Sequence, residues 1–437
     1  MNMESKKDFK VIIAGGSIVG LTLANALEKA GIDFLVLERG DIAPQLGASV
    51  SIYCNASRVL DQLGVWKGIH QTTIPLTDRL YFDEHGRLFE DNKTMRLIDD
   101  KTKRPVTFLR REAYIRALYD NLKDKSKVKG HSGLVSFAED DEGVTVFTST
   151  GEEIRGSILV GADGIHSTVR KLMAESVAKS DPQRAKNLIE GFTANYRTIF
   201  GTSKNQRKDD PSVQMVPDSL CHTSYYRGVT GVCAVGNRGV IYWFLLAKED
   251  TPSTMPNCPR YSEADAEETL RKFGHLNMGP GYTFNDLWEL REKGVMVPLQ
   301  EGIVEGSWNS GGRVVLMGDA VHKFTISAGL GANLGVEGAC HLVNELVPVL
   351  KETENPGKQE IKGVLDRYEE KHRPRTKICA VLSNYLTKYE AMETWWLRLL
   401  RFIIPRIPDS YKAKSFVDFM DGAPILDYLP HPDKSSA

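Results

Sequence analysis

Apolar residues change rhythm twice within the first forty positions. Val11-Ile12-Ile13-Ala14 is an unbroken apolar run, short enough for a strand buried on both faces. After the turn Gly15-Gly16-Ser17-Ile18-Val19-Gly20, Leu21, Ala24, Leu27 and Ala30 recur at helical spacing until Gly31. A second run, Phe34-Leu35-Val36-Leu37, closes on Glu38. Strand, glycine turn, helix, strand and carboxylate is the order that a dinucleotide-binding βαβ unit needs.

Farther along, Asn55 is placed to cap a helix. Residues 76–97 alternate around His85-Gly86, which predicts an antiparallel hairpin. Residues 108–122 read as a helix, with Tyr114, Leu118 and Leu122 on one stripe. Residues 135–154 read as a strand pair around Asp141-Glu142-Gly143, and Ile158-Leu159-Val160 as a buried strand ending in Gly161-Ala162-Asp163-Gly164. Residues 190–244 are strand-rich and aromatic, with a polar loop at 204–211. A helix is expected at 262–273, and a third apolar strand at 313–317 that ends in Gly318-Asp319. Helices follow at 336–350 and from Ile361 onward, the latter kinked or broken at Pro374. The fold class is therefore α/β.

The chemistry sits at the strand ends. Gly15 permits a tight turn, Gly20 lets helix and strand approach, and the helix N-terminus offers free N–H groups to a pyrophosphate. Glu38 can accept bonds from a ribose and would repel a 2′-phosphate, which favours the adenosine of FAD or NAD over that of NADP. Ser17 stands where the middle glycine of the pattern is expected. Asp163 with Gly164, and Asp319, stand at two further strand ends, where ligands of parallel sheets bind. Gly329, Gly331 and Gly335 would let backbone N–H groups approach a planar ring. Strand-end turn formation is the plain alternative for both aspartates.

Composition narrows the setting. The 437 residues carry 41% hydrophobic and 26% charged positions and a net charge of −1, so no nucleic-acid footprint is visible. Six cysteines form no CxxC pair and no metal-ligand spacing, which reads as reduced thiols in the cytoplasm and no metal site. The first ten residues hold no apolar signal segment, and no run of eighteen apolar residues occurs.

The turn GGSIVG with Glu38, the segment LVGADGIHSTVR and the segment RVVLMGDAVHKF together resemble the three motifs of single-component FAD-dependent monooxygenases of the para-hydroxybenzoate hydroxylase fold. PQLGAS, FLRRE, NYRTIFG and GAPILDYLP are similar to fungal epoxidases and hydroxylases of meroterpenoid and prenylated-indole pathways. The resemblance implies a Rossmann-like FAD-binding domain of glutathione-reductase type (1–75, 104–185 and 293–385) interleaved with a β-sheet substrate domain (76–103 and 186–292) and a helical tail (386–437). It implies FAD as cofactor, NADPH as transient reductant, and O₂ with an apolar small molecule as co-substrates. A flavin C4a-hydroperoxide would then epoxidise or hydroxylate the substrate. Gly15, Gly16, Ser17, Gly20, Glu38, Arg39, Gly47 and Ala48 would serve the adenosine half of FAD. Arg111, Asp163, Gly164, Asp319, Gly329, Gly331, Ala332 and Asn333 would serve the pyrophosphate, ribityl chain and ring. Arg197 would reach the substrate face of the ring, with a surface strand arginine as the alternative.

Two positions depart from that family. Ile326 stands where a proline usually abuts the flavin, and the tail is shorter than in relatives with membrane-inserting helices. Residues 395–404 carry a broad apolar face with Arg398 and Arg401 opposite, which could lie on a membrane or pack on the flavin domain. Two other readings stay open: a flavin halogenase, reductase or dehydrogenase, though no WxWxIP motif is present, and a non-redox scaffold that keeps the fold.

Overall fold

A computed structural model describes residues 9–44 and 49–433. Its first layer is a five-stranded parallel sheet in the order Val314–Leu316, Ile158–Gly161, Lys10–Ala14, Asp33–Leu37, Val128–Lys129. Lys10–Ala14 lies third of five, flanked on both sides, and Val11, Ile12 and Ile13 are wholly buried. A strand covered on both faces needs apolar residues at every position, which explains the unbroken run. The helix Ile18–Ala30 follows and ends at Gly31, whose φ of 72° lets its N–H meet the Leu27 and Glu28 carbonyls. It packs on the helices Arg111–Asn121 and Gly331–Glu352.

The second layer is an eight-stranded sheet, antiparallel except where Leu220–Tyr226 runs parallel to Asp78–Phe82. Its long strands Thr193–Lys204, Val229–Asn237, Val240–Thr254 and Arg291–Ile303 separate two faces by alternation. On one face Ile199, Cys233, Trp243 and Leu245 pack with Leu270 and Phe284 from two short helices. On the other, Tyr196, Phe200, Val232, Phe244 and Leu246 form a cluster with Phe108 and Ile326. That inner face meets the parallel-sheet layer at the loop carrying Ile326.

Several local expectations shift. Phe108 to Arg110 belong to the strand Val106–Arg110, paired with Ser49–Ile52, and the helix begins only at Arg111. Cross-strand pairing outweighs the helical spacing there. Asn55 lies inside the helix Cys54–Leu63 and spends its amide on Glu337 Oε1 at 2.7 Å, so Tyr53 holds the cap position. The hairpin strands end at Asn92, and Thr94–Thr102 is helical. Leu134–Glu139, Val144–Thr148 and Glu153–Gly156 make a three-stranded meander rather than a pair. The helix expected from Val336 starts at Gly331, and Lys358–Glu390 runs unbroken through Pro374. Buried His372 and Thr376 hold that helix on either side of the proline.

Candidate functional site

The turn after Ala14 is fixed by close approach. Gly15 has φ 109°, and a Cβ there would stand 2.4 Å from the Ala162 carbonyl oxygen. A Cβ on Gly20 would lie 1.9 Å from the Gly15 oxygen, so both positions admit only glycine. The Gly16 N–H donates to Glu38 Oε2 at 2.7 Å and the Gly40 N–H to Oε1 at 3.0 Å. Glu38 thus braces the turn that it was expected to follow, with its remaining lone pairs free for a ribose. Ser17 occupies the helix N-cap position but makes no side-chain cap. Its hydroxyl instead accepts from Arg111 Nη2 at 2.6 Å, across 94 positions of sequence. The missing middle glycine is therefore used: a hydroxyl joins the first turn to the Arg111 helix.

The other two strand ends close on the first. Gly318 has φ 60°, and Cβ atoms on Gly318 and Gly335 would fall 2.9 and 2.5 Å from Val19 Cγ2. Val19, in the first turn of the opening helix, fills the space that these two glycines leave. Asp319 accepts from Lys323 Nζ at 2.7 Å, and Lys323, Arg111 and His322 hold its carboxyl below the usual range against the opposing effect of burial. The side chain is enclosed by protein yet 41% exposed, so it faces an open cleft. Arg170 donates to the Ala320 and Ile165 carbonyls and so ties the Asp163 turn to the Asp319 turn.

The loop of Ile326 to Gly329 is equally built. Gly329 has φ 63°, and a Cβ there would meet Ser51 Oγ at 2.4 Å. Ser51 Oγ donates to the Gly329 carbonyl at 3.0 Å and Tyr53 OH to the Ala328 carbonyl at 3.1 Å. Asn333 accepts the Tyr53 N–H at 2.9 Å and donates to the Ser51 and Gly329 carbonyls. Gly331 opens the helix with nothing within 4 Å of its Cβ position, so its N-terminus borders open space. Arg111, the part-exposed carboxylate of Asp319 and the unobstructed start of the Gly331–Glu352 helix offer the kinds of group that a dinucleotide cofactor with a flavin head requires.

Some expected residues do other work. Asp163 spends Oδ1 on Ser167 and Oδ2 on the Thr168 and Val169 N–H groups, so it braces its own turn, and burial pushes its pKa up. Gly164, with φ 79°, completes that turn beside open space. Asn333 clamps the loop, spending both amide protons on the Ser51 and Gly329 carbonyls. Arg39 is exposed at the rim. Gly47 and Ala48 lie outside the described residues. Arg197 must be reassigned: it points to the Leu270 side of the sheet, donates to Glu249 Oε2 at 2.6 Å and Thr269 Oγ1 at 3.3 Å, and turns away from the Phe108–Ile326 face. His322 is buried against His372, Nε2 to Nε2 3.1 Å, with its pKa pushed down to about 4 by burial.

The sequence reading missed Tyr53, Ser51, Arg79, Thr223 and Glu390, which line the contact between loop and sheet. Only strand parity could have flagged Arg79 and Thr223, and that requires a register the chain alone does not reveal. Two surface hollows of about 350 and 340 Å³, one at Tyr261 and Met296 and one at Glu301 and Tyr385, include none of the expected cofactor residues.

A family profile described as "FAD binding domain" matches residues 8–197 and 301–381. FAD-dependent monooxygenase cdmI of Talaromyces verruculosus is 32% identical over 443 residues, covering 100% of this chain and 90% of that protein. Among solved structures, p-nitrophenol 4-monooxygenase PnpA from Pseudomonas putida DLL-E4 superposes with a TM-score of 0.75 at 19% identity, covering 95% and 98% of the two chains. Klebsiella pneumoniae HpxO complexed with FAD and uric acid gives 0.72 at 19% identity over 97% and 100%. At these identities the two structures speak for the fold alone.

Proposed function

The chain belongs to the FAD-dependent monooxygenases, an FAD-binding oxidoreductase family, and from that premise we propose that it epoxidises or hydroxylates an apolar secondary metabolite with O₂ and NAD(P)H, NADPH being the transient reductant. Bound flavin supplies electron acceptance from the nicotinamide and the activation of O₂ for single-oxygen transfer.

In this reading Gly15, Gly16, Ser17, Gly20, Glu38 and Arg39 hold the adenosine half of FAD, and the amides of the opening helix meet the pyrophosphate. Arg111 would hold the phosphates and ring, and Asp319, whose Oδ1 is not engaged by Lys323, would accept from ribityl hydroxyls. The Gly331 and Ala332 N–H groups, with the positive helix end behind them, would hold the ring side of the flavin and favour negative charge there. Gly329 shapes the loop, and Asp163, Gly164 and Asn333 position the turns. Phe108, Phe200, Val232, Tyr242 and Phe244 give the substrate an apolar wall and keep water out. The same reading divides the chain as the motifs imply, with residues 76–103 and 186–292 as the substrate domain.

The observation that carries it is the Ser17–Arg111 bond, with Val19 seated on Gly318 and Gly335 and Arg170 bonded to Ala320 and Ile165, because these join the first turn, the Asp163 turn and the Asp319 turn. Purified protein is expected to be yellow, to oxidise NADPH faster when substrate is present, and to yield a product heavier by one oxygen. Equal product formation without O₂ would overturn the oxygen-transfer reading.

The tail supports peripheral membrane contact. Among the described residues no helix is long and apolar enough to cross a membrane. Yet Trp395, Trp396, Leu399, Phe402 and Ile403 are each at least 41% exposed. Arg401 is turned inward onto Glu84, and Leu397 alone of this stretch is buried. An outward apolar, tryptophan-bearing face suits a lipid interface and the uptake of apolar substrate. Flotation with phosphatidylcholine–phosphatidylserine vesicles, lost in Trp395→Ser/Phe402→Ser, tests it; an unbound wild type contradicts it.

A further inference from the structure

The loop of Ile326 to Gly329 has an open side and a fastened side. Ile326, Ala328 and Gly329 are half-buried, as are Gly331 and Ala332 beyond them, whereas Thr325, Ser327 and Leu330 are buried. The fastened side lies against the helix Lys358–Glu390. Ser383 Oγ donates to the Thr325 carbonyl at 2.9 Å, and Thr325 Oγ1 donates to the Ser383 carbonyl at 3.0 Å. One turn on, the Thr387 hydroxyl stands 2.7 Å from Thr325 Oγ1 and 3.0 Å from Ser327 Oγ. Ser383, Thr387 and Thr325 are at most 2% exposed.

An apolar helix face would bury the same surface without the cost of desolvating hydroxyls, but it would not dictate where along the helix the loop rests. Reciprocal, directional bonds do. The same helix supplies the contrast. Thr376 is equally buried, yet among the described residues it donates only to the His372 carbonyl four positions back, at 2.9 Å. Thr387 has that ordinary option at the Ser383 carbonyl, 3.0 Å away, and also reaches two hydroxyls of another segment. From the opposite direction Ser51 and Tyr53 hold the Gly329 and Ala328 carbonyls. Between these two sets of bonds Ile326 is set against Phe108, Tyr196 and Phe244.

We propose that Ser383 and Thr387 are positioning residues for the flavin ring. Their hydroxyls fix the height of the loop, so that its open edge and the start of the Gly331–Glu352 helix present one surface to the ring. This rests on the flavin-binding reading above and adds the part played by the long helix. Thr387→Val keeps the side-chain shape and removes the hydroxyl, which leaves Thr325 and Ser327 to pair afresh and the loop free to shift. In that reading the first turn and Asp319 hold the remainder of the cofactor, so affinity changes little while the surroundings of the ring change.

The test compares flavin-loaded wild type, Thr387→Val, Thr387→Ser and Thr376→Val. Visible circular dichroism of the bound flavin and its midpoint potential report on the ring, and titration of flavin-free protein with FAD gives the Kd. Thr387→Val is expected to alter the dichroism and shift the potential while its Kd stays within about tenfold of wild type. Thr387→Ser, which restores the hydroxyl, is expected to return both signals to wild-type values. Thr376→Val removes a comparable buried hydroxyl and is expected to lower the thermal midpoint with the flavin signals unchanged. Unaltered dichroism and potential in Thr387→Val overturn the proposal, and so do equal changes in Thr376→Val. Should Thr387→Val fail to fold, Ser383→Ala decides by the same signals. Wild type that binds FAD while Thr387→Val leaves its signals unmoved refutes this inference alone, whereas wild type with no affinity for FAD refutes the earlier reading and this one with it.

Discussion

The turn after Ala14 and the inner face of the eight-stranded sheet are specified in different ways. In the turn, backbone touches backbone: a Cβ at Gly15 would collide with the Ala162 carbonyl, and one at Gly20 with Gly15 itself. The composition of the turn is thereby constrained wherever the chain is found. On the sheet, side chains meet, and the face each one joins depends on alternation and register. Arg197 and Tyr196 are adjacent in sequence, yet one is bonded to Thr269 behind the sheet and the other packs in front with Phe244. A site built from turns tolerates few residues, whereas a site built from a face can change its lining and keep its fold.

The sharpest break of that comparison is Gly15→Val. Both the φ of 109° and the 2.4 Å approach forbid it, so folded flavoprotein is expected to be lost altogether. Soluble, yellow protein with wild-type absorbance would show that the turn is not constrained as described.

Acid comes next, and it also separates the halves. His322 is held neutral, with its pKa pushed down to about 4, and its neighbours His341 and His372 are lowered too; the eight-stranded sheet buries only His222 in this way among the described residues. Each folded pKa lies below the unfolded value of about 6.5, so the unfolded chain takes up the proton first. Stability is therefore full above pH 6.5 and falls as pH drops towards 4, by about 3 kcal/mol for His322 alone. Urea midpoints and flavin release over that window measure it, and a flat midpoint would contradict the burial of neutral imidazoles.

The smallest effect should come from the far face. Arg197→Ala removes the partner of Glu249 and is expected to cost about 1–3 kcal/mol in thermal or urea unfolding, with flavin content and coupled NADPH oxidation unchanged. A loss of turnover at full flavin content would return Arg197 to the reaction.

How much of this was legible in the sequence follows the same divide. The first βαβ unit and the three glycine-bearing strand ends could be read directly, because steric exclusion leaves a local signature. The Arg111–Ser17 bond could not, since it joins residues 94 positions apart, and the Phe108 to Arg110 strand was masked by helical spacing next to a real helix. Asp163 stood at the expected strand end, but its use of both oxygens on its own turn is a matter of a few ångströms that spacing cannot convey. Tyr53, Arg79 and Glu390 carried no motif at all. They are brought together only by the packing of loop, sheet and long helix.

In the proposed enzyme the three turns hold one flavin between them. Asp319 is 41% exposed and among the described residues accepts from Lys323 alone, so Asp319→Ala is expected to remove the proposed flavin contact with little loss of packing. Visible absorbance of the purified variant, set beside its thermal unfolding in the flavin-free form, is the direct measurement. The expected result is a largely colourless protein whose flavin-free unfolding matches wild type; full flavin occupancy in Asp319→Ala would contradict the claim.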